Sequence, residues 1–205
     1  KSNTLIQING SDANNLAHVT GNVYGAGLGI ENPQTKANAN TRGTTKVHLN
    51  GGTVDGDIYG GGFAGTMLSK ETETNNDEVF RYDENIGSLC IIDGGQVRNV
   101  FGGGYQGNIE GNSGVDIGTK TGTTFYAGVP TILRSAYGGG EMAKVSGTST
   151  VNMYNGYIGY RYDAKSTATN EEDKYIPELK LNVDDEANLL KENGNLYGAG
   201  FGEGA

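Results

Sequence analysis

The chain has 205 residues, enough for one domain with a sizeable core and too few to require two. Apolar residues make up 35% and charged residues 19%, with no Trp, a composition that excludes disorder and points to a thin core. Fifteen scattered Lys and Arg stand against 24 Asp and Glu, a net charge of −9, so no basic stripe can neutralise phosphates and nucleic acid is not an expected partner.

The first element is Ile6-Gln7-Ile8-Asn9-Gly10, whose alternation reads as a half-buried strand ending in an Asx-Gly turn. Val23-Tyr24-Gly25-Ala26-Gly27 follows, and both patterns recur. Val47-His48-Leu49-Asn50-Gly51 leads through a third short element, Gly52-Thr53-Val54-Asp55-Gly56-Asp57-Ile58, into Ile58-Tyr59-Gly60-Gly61-Gly62. Cys90-Ile91-Ile92-Asp93-Gly94 leads through Gly95-Gln96-Val97-Arg98-Asn99-Val100 into Val100-Phe101-Gly102-Gly103-Gly104. Ala136-Tyr137-Gly138-Gly139-Gly140 is the fourth aromatic copy, and Val151-Asn152-Met153-Tyr154-Asn155-Gly156 is the next alternating strand. Leu179 to Asp184 reads as a degenerate strand ahead of a short helix over 184–194, before the fifth copy, Leu196-Tyr197-Gly198-Ala199-Gly200.

A motif recurring at intervals of tens of residues is the signature of a stacked array. Strands of three to five residues cannot stand as isolated hairpins, but each can pair in parallel with its equivalent in the next repeat. The expected fold is therefore all-β, a parallel β-helix (β-solenoid), with polar loop insertions between coils at about 31–43, 66–87 and 161–177. Ile6, Ile8, Val47, Leu49, Cys90, Ile92, Val151, Met153, Leu181 and Val183 should line its core. The 36 glycines, well above the usual share of about 7%, fit corners that need positive φ or close backbone approach. Residues 1–205 read as one solenoid segment of a longer protein. No apolar run approaches the length of a membrane span, and a single cysteine, Cys90, excludes an internal disulfide and a thiolate cluster.

At the Tyr-Gly-Gly-Gly copies and the preceding Val-x-Leu-Asn-Gly-Gly strand, the sequence resembles the Gly-rich β-helical repeats of large bacterial cell-surface, adhesin-like proteins. The match is best from Ala136 to Ile158 and extends over nearly the whole chain apart from the insertions. The resemblance implies an extracellular or surface-exposed solenoid and transfers no catalytic residues.

Tyr24, Tyr59, Phe101, Tyr137 and Tyr197 form the first candidate site. Each follows an inward apolar residue, so alternation points the rings outward, as a row for sugars or a partner; equally, the rings can stack on one another and stabilise the rod. Asn9, Asn50, Asp93 and, with one residue of slippage, Asn155 form a ladder where each alternating strand turns into Gly. Turn capping and amide stacking between coils are favoured there over cation binding.

Asp55, Asp57, Asp184 to Glu186 and the acidic insertions, with Glu71, Glu73, Asp77, Glu78, Asp83, Glu84, Glu171, Glu172 and Asp173, read as solvated charge. The tandem glycine pattern of calcium-binding β-rolls is absent, so no metal or cofactor is expected. His48 is placed on the outer face of its strand, and neither it nor His18 has a Ser, Cys or Asp partner at a recognisable spacing. Cys90 reads as a buried, inert thiol. The expected function is a non-catalytic structural rod that presents loops or the aromatic stripe to a glycan or surface protein. The alternatives are a polysaccharide lyase or glycoside hydrolase on the same scaffold, and a filament subunit that stacks head to tail through uncapped coils.

Overall fold

The computed structural model describes residues 3–10, 17–29, 39–68, 84–118, 129–163, 165–178 and 194–202, and these are built almost wholly of short strands. The chain begins with β1 (Thr4–Ile8), β2 (His18–Val19) and β3 (Val23–Tyr24). The same succession returns as β4 (Thr44–Leu49), β5 (Thr53–Val54) and β6 (Ile58–Tyr59), then as β7 (Gly87–Ile92), β8 (Gln96–Val97) and β9 (Val100–Phe101). A fourth circuit holds β10 (Asn112–Ile117), β11 (Thr131–Ile132) and β12 (Ala136–Tyr137). The fifth holds β13 (Ser149–Met153), β14 (Tyr157–Ile158), a hairpin of β15 (Tyr160–Tyr162) and β16 (Tyr175–Pro177), and β17 (Leu196–Tyr197).

Equivalent strands pair in parallel, giving three five-stranded sheets in the orders β1-β4-β7-β10-β13, β2-β5-β8-β11-β14 and β3-β6-β9-β12-β17. Like residues face like: Val47 lies opposite Cys90, Cys90 opposite Val115, and Val115 opposite Val151. The two-residue strands persist because flanking bonds run between circuits, as from Gly60 N to Phe101 O at 2.9 Å and from Gly102 N to Tyr137 O at 2.8 Å. These stacked parallel sheets are compatible with the β-helix expected from the repeats.

Each inner circuit contributes four apolar side chains to one core, such as Cys90, Ile92, Val97 and Val100, all 0% exposed. Hydroxyls tie the first strand of a circuit to the glycines at its end. Thr45 Oγ1 donates to Gly60 O at 2.6 Å and Ser113 Oγ to Gly138 O at 2.6 Å, with Ser88 doing the same for Gly102 O. Both partners of each bond are buried, so each bond also satisfies a carbonyl that water cannot reach.

Two glycine positions show two different needs. Gly52 and Gly95 close the Asx-Gly corners at φ +92° and +74°, where an L side chain is strained. Gly102 has no unusual φ; a Cβ there would instead lie 2.3 Å from Gly138 O of the next circuit.

Several expectations change against these strands. Asn112–Ile117 is the fourth member of the first sheet, and β13, containing Val151, is its fifth. Met153 lies on that terminal strand and is 40% exposed rather than buried. Residues 161–177 are not a plain loop: β15 and β16 pair antiparallel around a 3-10 turn at Glu171–Lys174, and Tyr175 buries itself against Tyr157 at 4.2 Å between ring centroids.

The ends of the other two insertions also belong to the scaffold. Thr41, Met67, Ile109 and Val145 form successive parallel bridges, and Met67, Ile86 and Ile109 make a second small core. Leu179 to Asp184, the helix expected at 184–194 up to residue 193, and Glu71, Glu73, Asp77, Glu78 and Asp83 lie outside the described residues.

Candidate functional site: a polar cleft beside an aromatic stack

Tyr24, Tyr59, Phe101, Tyr137 and Tyr197 end the strands of the third sheet, and register alone piles them up. Neighbouring rings are parallel within 6–9°, with centroids 5.1, 4.9, 4.7 and 4.8 Å apart along the stack. Tyr59, Phe101 and Tyr137 are 1%, 3% and 5% exposed. Both faces of each of these three rings are covered by neighbours, so only the terminal rings Tyr24 and Tyr197 have an unstacked face. Phe63, Tyr105 and Phe201, each just after a glycine cluster, pack edge-on against Tyr24, Tyr59 and Tyr137.

Immediately before the aromatic strands stands a second ladder, Asn22, Asp57, Asn99 and Ser135, which the sequence reading does not single out. The first three side chains accept from the next circuit's backbone: Asp57 N donates to Asn22 Oδ1 at 2.9 Å, Asn99 N to Asp57 Oδ1 at 3.0 Å, and Ser135 N to Asn99 Oδ1 at 3.2 Å. Asp57, expected as solvated charge, is buried to 5% exposure. Arg98 makes this tolerable by closing a fork on it, Nε to Oδ1 at 2.8 Å and Nη2 to Oδ2 at 2.7 Å, and Asn99 Nδ2 adds a bond at 2.9 Å. The ion-paired bond to Asp57 raises the Arg98 pKa further, against the effect of desolvation.

After the fourth glycine cluster the residue is Glu141, where the second, third and fifth clusters are followed by Phe63, Tyr105 and Phe201. Its carboxylate accepts the Tyr59 hydroxyl from two circuits away. Burial, and then this bond, push the Tyr59 pKa far above the ordinary 10.0, and burial raises that of Tyr137. Neither phenol can serve as a base near neutrality.

These groups enclose a cleft of about 130 Å³ lined by Asp57, Arg98, Arg134, Ser135, Glu141 and Phe201, with Asn99, Phe101 and Tyr137 behind them. Arg98 and Arg134 are neighbours on successive circuits, Arg134 N donating to Arg98 O at 2.9 Å. Asp57 is saturated with donors. Among the described residues, the Arg134 guanidinium and Glu141 Oε1 have no bonded partner and form no ion pair with each other.

The turn ladder divides. Asn50 Nδ2 donates to Asn9 Oδ1 at 2.7 Å, the expected amide contact. Asp93 instead takes His48 Nε2 at 2.8 Å, and Asn155 Oδ1 caps its own Gly156 N at 2.9 Å. Both histidines thus have an Asp partner that sequence spacing hid: His48 with Asp93, buried at 7% and 1% exposure, and His18 with Asp55 at 2.8 Å on the surface. The partners sit on neighbouring circuits, so their separation in sequence reflects the repeat length. Cys90 is fully buried, which raises its thiol pKa. Among the described residues no three His, Cys, Asp or Glu gather as a metal site, and no helix is long and apolar enough to cross a membrane. Comparison with known proteins finds no matching family model, curated protein or solved structure.

Proposed function

We propose that the chain is a segment of an extracellular, cell-surface β-solenoid, a non-catalytic structural and adhesive rod that offers a lateral surface to a glycan or protein partner. The carrying observation is the register of equivalent residues through five circuits, which uses the rings, glycines and hydroxyls to join one circuit to the next. The hydroxyl bonds from the first strand of the first four circuits to their own glycine clusters support a coil closed on itself. The resemblance of the Tyr-Gly-Gly-Gly copies to adhesin-like surface repeats supports the location.

A glycan-cleaving reading draws on the cluster of Asp57, Arg98, Arg134 and Glu141. Against it, Asp57 is saturated by Arg98 and Asn99, and both phenols are held protonated. Incubation with a panel of acidic and neutral polysaccharides is expected to release nothing; new reducing or unsaturated ends overturn the non-catalytic assignment.

Head-to-tail association is favoured by a separate observation. The fifth circuit exposes Met153, Tyr154, Leu196 and Tyr197 by 40%, 65%, 47% and 39%, an apolar face of the kind that stacks on another coil. Electron microscopy of the isolated chain tests it: filaments support this mode, and monodisperse particles at all concentrations exclude it.

A further inference from the structure

We propose that the cleft between Arg98, Arg134 and Glu141 binds the carboxylate-bearing ring of an acidic sugar, a uronate residue of a larger glycan. The inference rests on the surface-binding reading above and names its ligand class. It also moves the contact from the ring faces, which the stack covers, to the polar edge beside them.

The chemistry of the cleft is that of opposed, unmet groups. Arg134 offers a guanidinium with no bonded partner among the described residues, and Arg98 has its Nη1 hydrogens left over after Asp57 has taken Nε and Nη2. Two guanidinium groups on successive circuits match a carboxylate, which accepts parallel N–H bonds. In the lining of the same cleft, Glu141 Oε2 holds the Tyr59 hydroxyl while Oε1 has no donor among the described residues.

A ligand that satisfies both sides carries a carboxylate and a hydroxyl on one small rigid frame. Phe201, packed edge-on to Tyr137 at 5.6 Å, supplies an apolar wall for such a ring. An acidic peptide side chain presents the carboxylate but no hydroxyl for Glu141. At about 130 Å³ the cleft is well below the usual range for an enclosed small-molecule site, so it admits one ring of a glycan whose remainder lies along the rod.

Calorimetric titration of the whole chain with a galacturonate tetrasaccharide, its methyl ester and a tetra-aspartate peptide tests this. Binding of the free acid, weakened at least about tenfold by esterification and by Arg134→Gln, is the expected result. Thermal melting checks that the variant is folded, and Arg134→Lys, a charge without the planar fork, should recover only part of the affinity. No binding, equal binding of the ester, equal binding by Arg134→Gln, or equal or tighter binding of the peptide overturns the proposal. Product analysis of the same samples separates the two claims: cleavage of the tetrasaccharide overturns the non-catalytic rod, whereas absent binding without cleavage overturns only the uronate site.

Discussion

The Tyr59 hydroxyl donates to the carboxylate of Glu141, 82 residues further along the chain, across Phe101, which brings no hydroxyl of its own. The absence of a phenol at Phe101 and the presence of Glu141 where three other circuits carry Phe or Tyr are thus two parts of one arrangement. Tyr59 is 1% exposed, and among the described residues its other bonded neighbour is Asp57 Oδ2 at 3.4 Å.

Glu141→Ala leaves that buried hydroxyl poorly satisfied and is expected to cost about 1–3 kcal/mol in urea unfolding. Glu141→Gln, whose amide oxygen can still accept, should cost less than half as much. Equal losses would show that the Tyr59 bond is not what Glu141 contributes.

Phe101 is stacked on both faces, and its truncation opens a hole in the middle of the row. Phe101→Ala is expected to destabilise by about 3–5 kcal/mol. Tyr24→Ala, which removes a terminal ring stacked on one face, should cost nearer 1 kcal/mol. Denaturant midpoints of the two variants give the comparison.

Gly102 and Gly198 occupy the same place in the third and fifth copies of one motif, but a Cβ at Gly102 meets Gly138 O while one at Gly198 meets nothing within 4 Å. Gly102→Ala should therefore cost roughly 1–3 kcal/mol or prevent folding, and Gly198→Ala should stay within about 0.5 kcal/mol of wild type. Thermal melts of both variants distinguish close approach from a general intolerance of side chains in the motif.

Alkaline pH should weaken the fold. The unfolded chain releases tyrosine protons as pH rises through the ordinary 10.0, whereas folded Tyr59 and Tyr137 keep theirs. The folded state then binds more protons, so its stability falls with rising pH above about 10, while below that both states hold these protons and the tyrosines give no pH dependence. Urea midpoints are expected to show this decline, and Tyr59→Phe, normalised to its own value near neutrality, should flatten it.

The aromatic copies and the alternating strands were open to sequence reading because each carries a local signal: a ring before Gly-x-Gly, or Val47 and Leu49 two residues apart ahead of Asn50-Gly51. Asn112–Ile117 lacks that signal, since Ile117 runs into Gly118 without an Asx turn, and its polar start disguises a sheet strand. The hairpin of β15 and β16 depends on Tyr157, Tyr162 and Tyr175 meeting across a gap in sequence, which no short-range pattern encodes.

The cleft was hidden for a related reason. Asp57, Arg98, Arg134 and Glu141 come from three circuits, and only the register makes them neighbours. One signal was available: aligning the residues after the glycine clusters sets Glu141 against Phe63, Tyr105 and Phe201. The two His–Asp pairs could be found in the same way, by alignment of circuits and not by spacing along the chain.

Cysteine cross-linking tests the stacking of equivalent residues most directly. Cys90 lies opposite Val115 in the first sheet, at a neighbouring-strand spacing of about 4.8 Å that a disulfide can bridge, whereas Val151 is one strand further away, at roughly twice that distance. Because Cys90 is fully buried, oxidation is carried out during refolding. Val115→Cys is expected to form an intramolecular disulfide with Cys90, and Val151→Cys is expected to leave both thiols free. A cross-link in Val151→Cys, or none in Val115→Cys, would contradict the register on which the stacked sheets, the aromatic row and the cleft all depend.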